Sequence, residues 1–198
     1  MEYKVKGVLL NLIHYPILTL GPSKRLGIWF QGCSIRCNKC ISKHTWEFEE
    51  DKFIDWIKFK NIIKSYSKNG RVTISGGEPF DQPDSLNIML DILREAGYYD
   101  ILIYTGYRYE YIYNNYKYII NKIDVLIDGS FIYGNQSESI WKGSENQNMY
   151  ILTKNNELKK IYEEYKKIKK NKNLQLLNDG KNFYLIGIPY HDFIDGID

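Results

Sequence analysis

The stretch Gly32-Cys33-Ser34-Ile35-Arg36-Cys37-Asn38-Lys39-Cys40 constrains the chain most, because all three cysteines fall within eight consecutive positions. Thiols spaced C-x3-C-x2-C in a loop can curl around one inorganic centre. An odd count leaves a disulfide framework one thiol over. Nothing at the N-terminus suggests secretion: Met1-Glu2-Tyr3-Lys4 leads into an apolar run from Gly7 to Ile13 that is cut short by His14 and Pro16. A cytoplasmic, reducing setting is therefore expected, where clustered cysteines mean metal more often than crosslink. Two readings of the loop stay open. Structural zinc wants four protein ligands, and only His44 is positioned to complete the set. An iron–sulfur cluster usually takes four cysteines; held by three, it keeps one iron open to a small molecule.

At 198 residues the chain fits one domain with room for a sizeable core. No stretch approaches the roughly 20 apolar residues that cross a bilayer, so neither a membrane span nor a membrane partner is expected. Net charge is +3, from 27 basic and 24 acidic side chains. That near balance argues neither for nor against nucleic acid, and no nucleic-acid partner is expected. The lysines between Lys159 and Lys172 read as a solvated helix face. The 18 tyrosines beside abundant Ile, Asn and Lys read as codon bias rather than as a binding surface.

Strands are expected over Tyr3 to Leu12, Leu26 to Phe30, Arg71 to Ser75, Ile101 to Tyr104, Val125 to Ile127 and Met149 to Leu152. Helices are expected from an Asp51 cap through Phe53, Ile54, Trp56, Ile57, Ile62 and Ile63, and over Asp84 to Ala96, Tyr109 to Ile120 and Asn156 to Lys170. Leu174 to Leu177 and Phe183 to Ile186 look like a hairpin around Asn178-Asp179-Gly180. Alternating short strands and helices are the pattern of a parallel sheet with right-handed crossovers. In such sheets ligands bind at the carboxyl ends of the strands. The polar loops 32–40, 76–79, 105–107 and 128–130 all fall there.

With the cysteine motif followed by Ser75-Gly76-Gly77-Glu78-Pro79, the chain resembles the radical S-adenosylmethionine (SAM) enzymes. Tyr104-Thr105-Gly106-Tyr107, Asp124 to Phe131 and Ile140 to Gln147 are similar to segments of the activating enzymes of anaerobic ribonucleotide reductase. The resemblance covers roughly residues 7 to 152, with the helix and hairpin of about 153 to 198 as an extension. It departs from the family pattern at Ser42-Lys43 and at Glu145.

The resemblance implies an α/β fold: a single domain, a partial, open (β/α)6-type barrel with a mainly parallel sheet and a C-terminal hairpin appendage. It implies a [4Fe-4S] cluster on Cys33, Cys37 and Cys40, with SAM chelating the open iron. Reductive cleavage then yields methionine and a 5'-deoxyadenosyl radical, which abstracts a hydrogen atom. Lys39, Cys40, Ile41, Gly76, Gly77, Glu78, Thr105 and Asp128 are the implied cofactor-binding residues, Asp128 through the ribose diol. The implied partners are a glycyl-radical enzyme, foremost an anaerobic ribonucleotide reductase, and a flavodoxin- or ferredoxin-type electron donor. A small-molecule or peptide substrate, as in synthesis of 7-carboxy-7-deazaguanine, is the alternative, and a zinc-binding interaction module the non-enzyme one. Gly76-Gly77 also reads as a plain turn, Thr105 and Asp128 as turn formers, and Trp29, Trp46, His14 and His44 as packing residues.

Overall fold

The computed structural model describes residues 4–66, 70–171, 173–178 and 180–196. Tyr3, Lys172 and Asp179, each part of an element expected above, lie outside the described residues. Four apolar runs make the centre of the sheet: β2 (Arg25–Phe30), β4 (Arg71–Gly76), β5 (Asp100–Tyr104) and β6 (Val125–Asp128), paired in parallel in that order. Ile28, Ile74, Ile101, Leu102, Ile103 and Leu126 are wholly buried, as near-continuous hydrophobic strands covered on both faces must be. β1 (Gly7–Ile17) and the short β3 (Phe53–Asp55) extend one side antiparallel, and β7 (Asn148–Ile151) closes the other. The strand order is β3-β1-β2-β4-β5-β6-β7, an open sheet with a four-stranded parallel centre.

α2 (Pro83–Glu95) and α3 (Tyr109–Ile120) make the crossovers between the parallel strands. α2 buries Leu86, Ile88, Met89, Leu90, Ile92 and Leu93, the face expected from their spacing. It stops at Gly97, whose φ of +88° lets its N–H reach Arg94 O and the next N–H reach Leu93 O, satisfying two terminal carbonyls.

The first helix departs from expectation. α1 is Trp56–Tyr66, and Asp55 rather than Asp51 caps it, accepting the Lys58 N–H at 2.9 Å. Phe53 to Asp55 pair with Gly7 to Leu9 instead, giving edge backbone groups of β1 a partner that a helix could not supply. Ile57 is consequently exposed, and the buried face is Trp56, Phe59 and Ile63. The lysine-rich helix α4 (Asn156–Lys166) also ends early, because Lys169 bridges to Ser139 and Lys170 turns inward.

At the amino end of the sheet, Arg25 and Asp100 form a fully buried, two-pronged ion pair with N–O distances of 2.6 and 2.9 Å. Thr73 Oγ1 accepts from Arg25 at 2.8 Å, and Tyr162 of α4 donates to Asp100 at 2.7 Å. Charges buried this deep persist only when every prong is matched, as these are.

The hairpin β8 (Gln175–Asn178) and β9 (Phe183–Ile186) forms its own two-stranded sheet. It is tied to residues 16–19: Gln175 bonds Pro16 O and the Leu18 N–H, and Thr19 bonds Ile186 O. A last short helix, α5 (His191–Asp195), follows it.

Candidate functional site

The cysteine loop leaves β2 and is clamped from two sides. Gly32 and Cys33 donate to Thr45 O and Trp46 O at 2.8 and 2.9 Å, while Gly77 and Glu78 donate to Phe30 O and Gly32 O at 2.8 and 2.9 Å. A Cβ on Gly77 would stand 2.1 Å from Gly32 O, and one on Gly76 would meet the Phe30 backbone at 2.5 Å. The glycine pair is thus required by the contact between the end of β4 and the cysteine loop, which also leaves its backbone bare toward the pocket. Within the loop, left-handed Arg36 and Lys39 (φ +49° and +57°) turn the chain.

Cys33, Cys37 and Cys40 line one pocket together with Ile41, Gly76, Gly77, Glu78, Thr105 and Gly106. Loops from the carboxyl ends of four parallel strands therefore converge where strand topology places ligands. Glu78 organises them. It is 1% exposed, and its carboxylate accepts from Phe80 N–H (3.0 Å), Thr105 Oγ1 (2.8 Å) and Gly106 N–H (2.8 Å). Burial pushes its pKa up to about 7, against the pull of those three donors.

Two of the expected cofactor-binding residues, Asp128 and Lys39, do not line this pocket. Asp128 is 1% exposed and both its oxygens accept hydrogen bonds: Oδ2 from the Tyr109 N–H at the start of α3, and Oδ1 from Asn148 of β7. Its neighbour Gly129 lines the pocket instead. Lys39 is not among the lining residues, and its ammonium stands 3.8 Å from Asp195. An aspartate at a strand end can accept from a helix N-terminus as readily as it binds a hydroxyl, and here Asp128 accepts from the first residue of α3.

Three features were invisible in the sequence. Asp81 accepts from Ser34 N–H (2.6 Å), Ser34 Oγ (3.0 Å) and Tyr107 Oη (2.7 Å), fastening the cysteine loop to the loop that follows β5. Phe131 lines the pocket. So do Leu185 to Pro189, which brings the end of the C-terminal hairpin to the site. α5 holds that segment down. The Gly134 N–H donates to His191 Nδ1 at 3.1 Å, so Nε2 carries the ring proton and donates to Gly143 O at 2.9 Å. Tyr133 stacks on the same ring with centroids 5.3 Å apart and donates to Asp195.

The cysteines suit an iron–sulfur cluster. All three are free and half-buried, and burial raises each thiol, Cys37 to about 11. Cationic iron is what would hold such thiols as thiolates. The Ser42 N–H points at Cys40 Sγ at 3.4 Å, a donor suited to a charged sulfur. His44, the fourth ligand a zinc site would need, lines a neighbouring cavity and stacks edge-on against Tyr184. Among the described residues, no three His, Cys, Asp or Glu side chains are gathered to grip a single metal ion.

The family described as a 4Fe-4S single cluster domain matches residues 19–150. The anaerobic ribonucleoside-triphosphate reductase-activating protein of Salmonella typhi is 30% identical over 153 aligned positions, which cover 70% of this chain and 96% of that protein. The chain belongs to the radical SAM activating enzymes. As such an activating enzyme it uses a [4Fe-4S] cluster and SAM, and its targets are of the glycyl-radical class. The pyruvate formate-lyase-activating enzyme of Clostridium pasteurianum is 32% identical over 112 positions, 54% of this chain and 45% of that protein. The crystal structure of QueE from Escherichia coli aligns with half of this chain and 53% of its own at TM-score 0.41 and 22% identity, too distant a likeness to bear on function. No helix among the described residues is long and apolar enough to cross a membrane.

Proposed function

We propose that this activating enzyme generates the glycyl radical of an anaerobic ribonucleotide reductase, working in the cytoplasm with a flavodoxin- or ferredoxin-type protein as electron source. The observation that carries the reading is the shared pocket of Cys33, Cys37, Cys40, Gly76, Gly77, Glu78 and Thr105. When bound, the cluster and SAM supply one-electron cleavage of the sulfonium and hence a 5'-deoxyadenosyl radical.

The chain's own residues bind, orient and exclude water. Cys33, Cys37 and Cys40 are the iron ligands. The Gly76 and Gly77 backbone receives the methionine ammonium, and Glu78 adds negative charge behind it. Thr105 and Ile41 shape the wall. Leu185, Ile186, Ile188 and Pro189 line the site with apolar surface, keeping water from a reactive radical. The open sheet is read as a partial barrel of the radical SAM type, one domain over 1–198 with its core at about 7–152.

Reduced protein, SAM and the reductase incubated together should give a glycyl-radical doublet by electron paramagnetic resonance. No doublet from an enzyme with an intact cluster would refute the partner. The Leu185–Pro189 segment favours a second reading, in which a small molecule or peptide enters in place of a protein loop, as in 7-carboxy-7-deazaguanine synthesis. Product analysis with such substrates separates the two.

A further inference from the structure

The side chain of His191 joins two loops at once. Nδ1 accepts the Gly134 N–H at 3.1 Å, Nε2 donates to Gly143 O at 2.9 Å, and the His191 main-chain N–H donates to Gln136 Oε1 at 2.8 Å. The residue is buried, with Tyr133 stacked on its ring at 5.3 Å and Phe131 meeting it edge-on at 5.1 Å. A neutral imidazole offers one donor and one acceptor, and both are in use here, which leaves neither nitrogen for acid–base work. Any flat ring could fill the space between Tyr133 and Phe131. The two bonds to backbone need an imidazole.

What the ring holds faces the site. Gly143 and Phe131 both line the pocket, and a Cβ on Gly143 would stand 3.0 Å from the Phe131 ring. Gln147 ties the same turn to the end of β6, its Oε1 accepting the Gly143 N–H and its Nε2 donating to Gly129 O, each at 2.7 Å. On the other side of His191 the chain runs back along Leu185 to Pro189, which line the pocket as well, to Ile186 O and its bond from Thr19 Oγ1 at 3.1 Å. Leu185 to Pro189 therefore form a strap, anchored at Thr19 on one side and, through His191, at Gly134 and Gly143 on the other. This latch lies beyond residue 150, where the match to the cluster-domain family ends.

We propose that His191 is a positioning residue for SAM: by bridging Gly134 and Gly143 it fixes the Gly129, Phe131 and Gly143 wall and the strap in one arrangement before the cofactor arrives. The inference rests on SAM binding in this pocket and not on which protein receives the radical. A wall set in advance spares the ligand the cost of ordering it. Loosening that wall weakens binding of the ground and transition states alike, which raises KM and leaves kcat in place.

The test compares the full-length wild type with His191→Phe and His191→Gln, each reconstituted anaerobically with its iron and sulfide counted. Phenylalanine keeps a ring between Tyr133 and Phe131 and has no nitrogen; glutamine restores a donor toward Gly143 and has no ring. All three should hold a full cluster. His191→Phe should bind SAM about tenfold more weakly, a change of about 1.4 kcal/mol. Its KM for SAM should rise in step while kcat for release of 5'-deoxyadenosine stays within about twofold. His191→Gln should fall between, with SAM binding about threefold weaker than in the wild type. Two readouts come from the apoprotein. The ring nitrogens of wild-type His191 should report the neutral Nε2–H tautomer by nuclear magnetic resonance, and the Gly134 amide should exchange with solvent about tenfold faster in His191→Phe.

Unchanged SAM affinity in a folded His191→Phe overturns the proposal. So does a fall in kcat at constant KM, and so does a Gly134 amide that already exchanges freely in the wild type. Should His191→Phe lose its fold, His191→Gln decides alone, and wild-type affinity there overturns the proposal. A wild type that carries a full cluster and binds no SAM overturns both the proposal and the placement of SAM in this pocket.

Discussion

The two ends of the parallel sheet are built to opposite standards. At the amino end, the Arg25–Asp100 pair is sealed, with Thr73 and Tyr162 completing its hydrogen bonds. At the carboxyl end, three half-buried thiols and a carboxylate with a raised pKa surround an open pocket. One end is finished by the chain itself; the other is left for something the chain must acquire. The difference separates residues that hold the fold from residues that hold the chemistry, because cost is tolerated only where a ligand can offset it.

Substitutions at the two ends should therefore fail in different ways. The largest effect is expected at Cys37→Ser, which should abolish cluster assembly and all SAM cleavage while leaving the melting temperature of the apoprotein within a few degrees. Iron and sulfide counts beside a thermal melt would show it, and a collapsed fold would erase the contrast between the ends. Asp100→Ala should do the reverse. Removing one partner of a buried ion pair costs about 3–5 kcal/mol, so denaturant unfolding should shift strongly while whatever protein remains folded still takes up a full cluster.

Glu78 lies between these extremes. Its folded pKa of about 7 exceeds the ordinary 4.5, so its contribution to stability is complete below that ordinary value and is lost as pH rises through 7. The stability of the wild type relative to Glu78→Gln should fall by about 3 kcal/mol between pH 4.5 and pH 8, at roughly 1.4 kcal/mol per pKa unit. Paired denaturation curves across that range provide the check, and a constant difference would mean that folding leaves the Glu78 pKa where it is in the unfolded chain. The smallest effect is expected at Tyr107→Phe. Losing the hydroxyl that bonds Asp81 should cost about 1 kcal/mol, and it should speed loss of iron from the reconstituted protein, since Asp81 also fastens Ser34 beside Cys33.

Most of the carboxyl end was legible in the sequence. Cysteine spacing, a glycine pair after a β-branched run and polar residues closing apolar strands are local signals, and sheet topology brings them together without further instruction. The α2 face and Gly97 stop were legible for the same reason. What escaped depends on distant contacts. Phe53 to Asp55 carry a pattern compatible with a helix, and only the neighbouring edge of β1 makes them a strand. Asp128 ends its strand in hydrogen bonds to α3 and β7, partners that its place in the sequence does not announce. Leu185 to Pro189 reach the site by folding back across about 150 residues of chain, a long-range return that no local spacing encodes.

The most direct test of the central claim is a single-turnover assay on the reconstituted, reduced protein with SAM alone. The account predicts 5'-deoxyadenosine and methionine in equal amounts, lost together in Cys37→Ser. A full complement of iron and sulfide with neither product would contradict it.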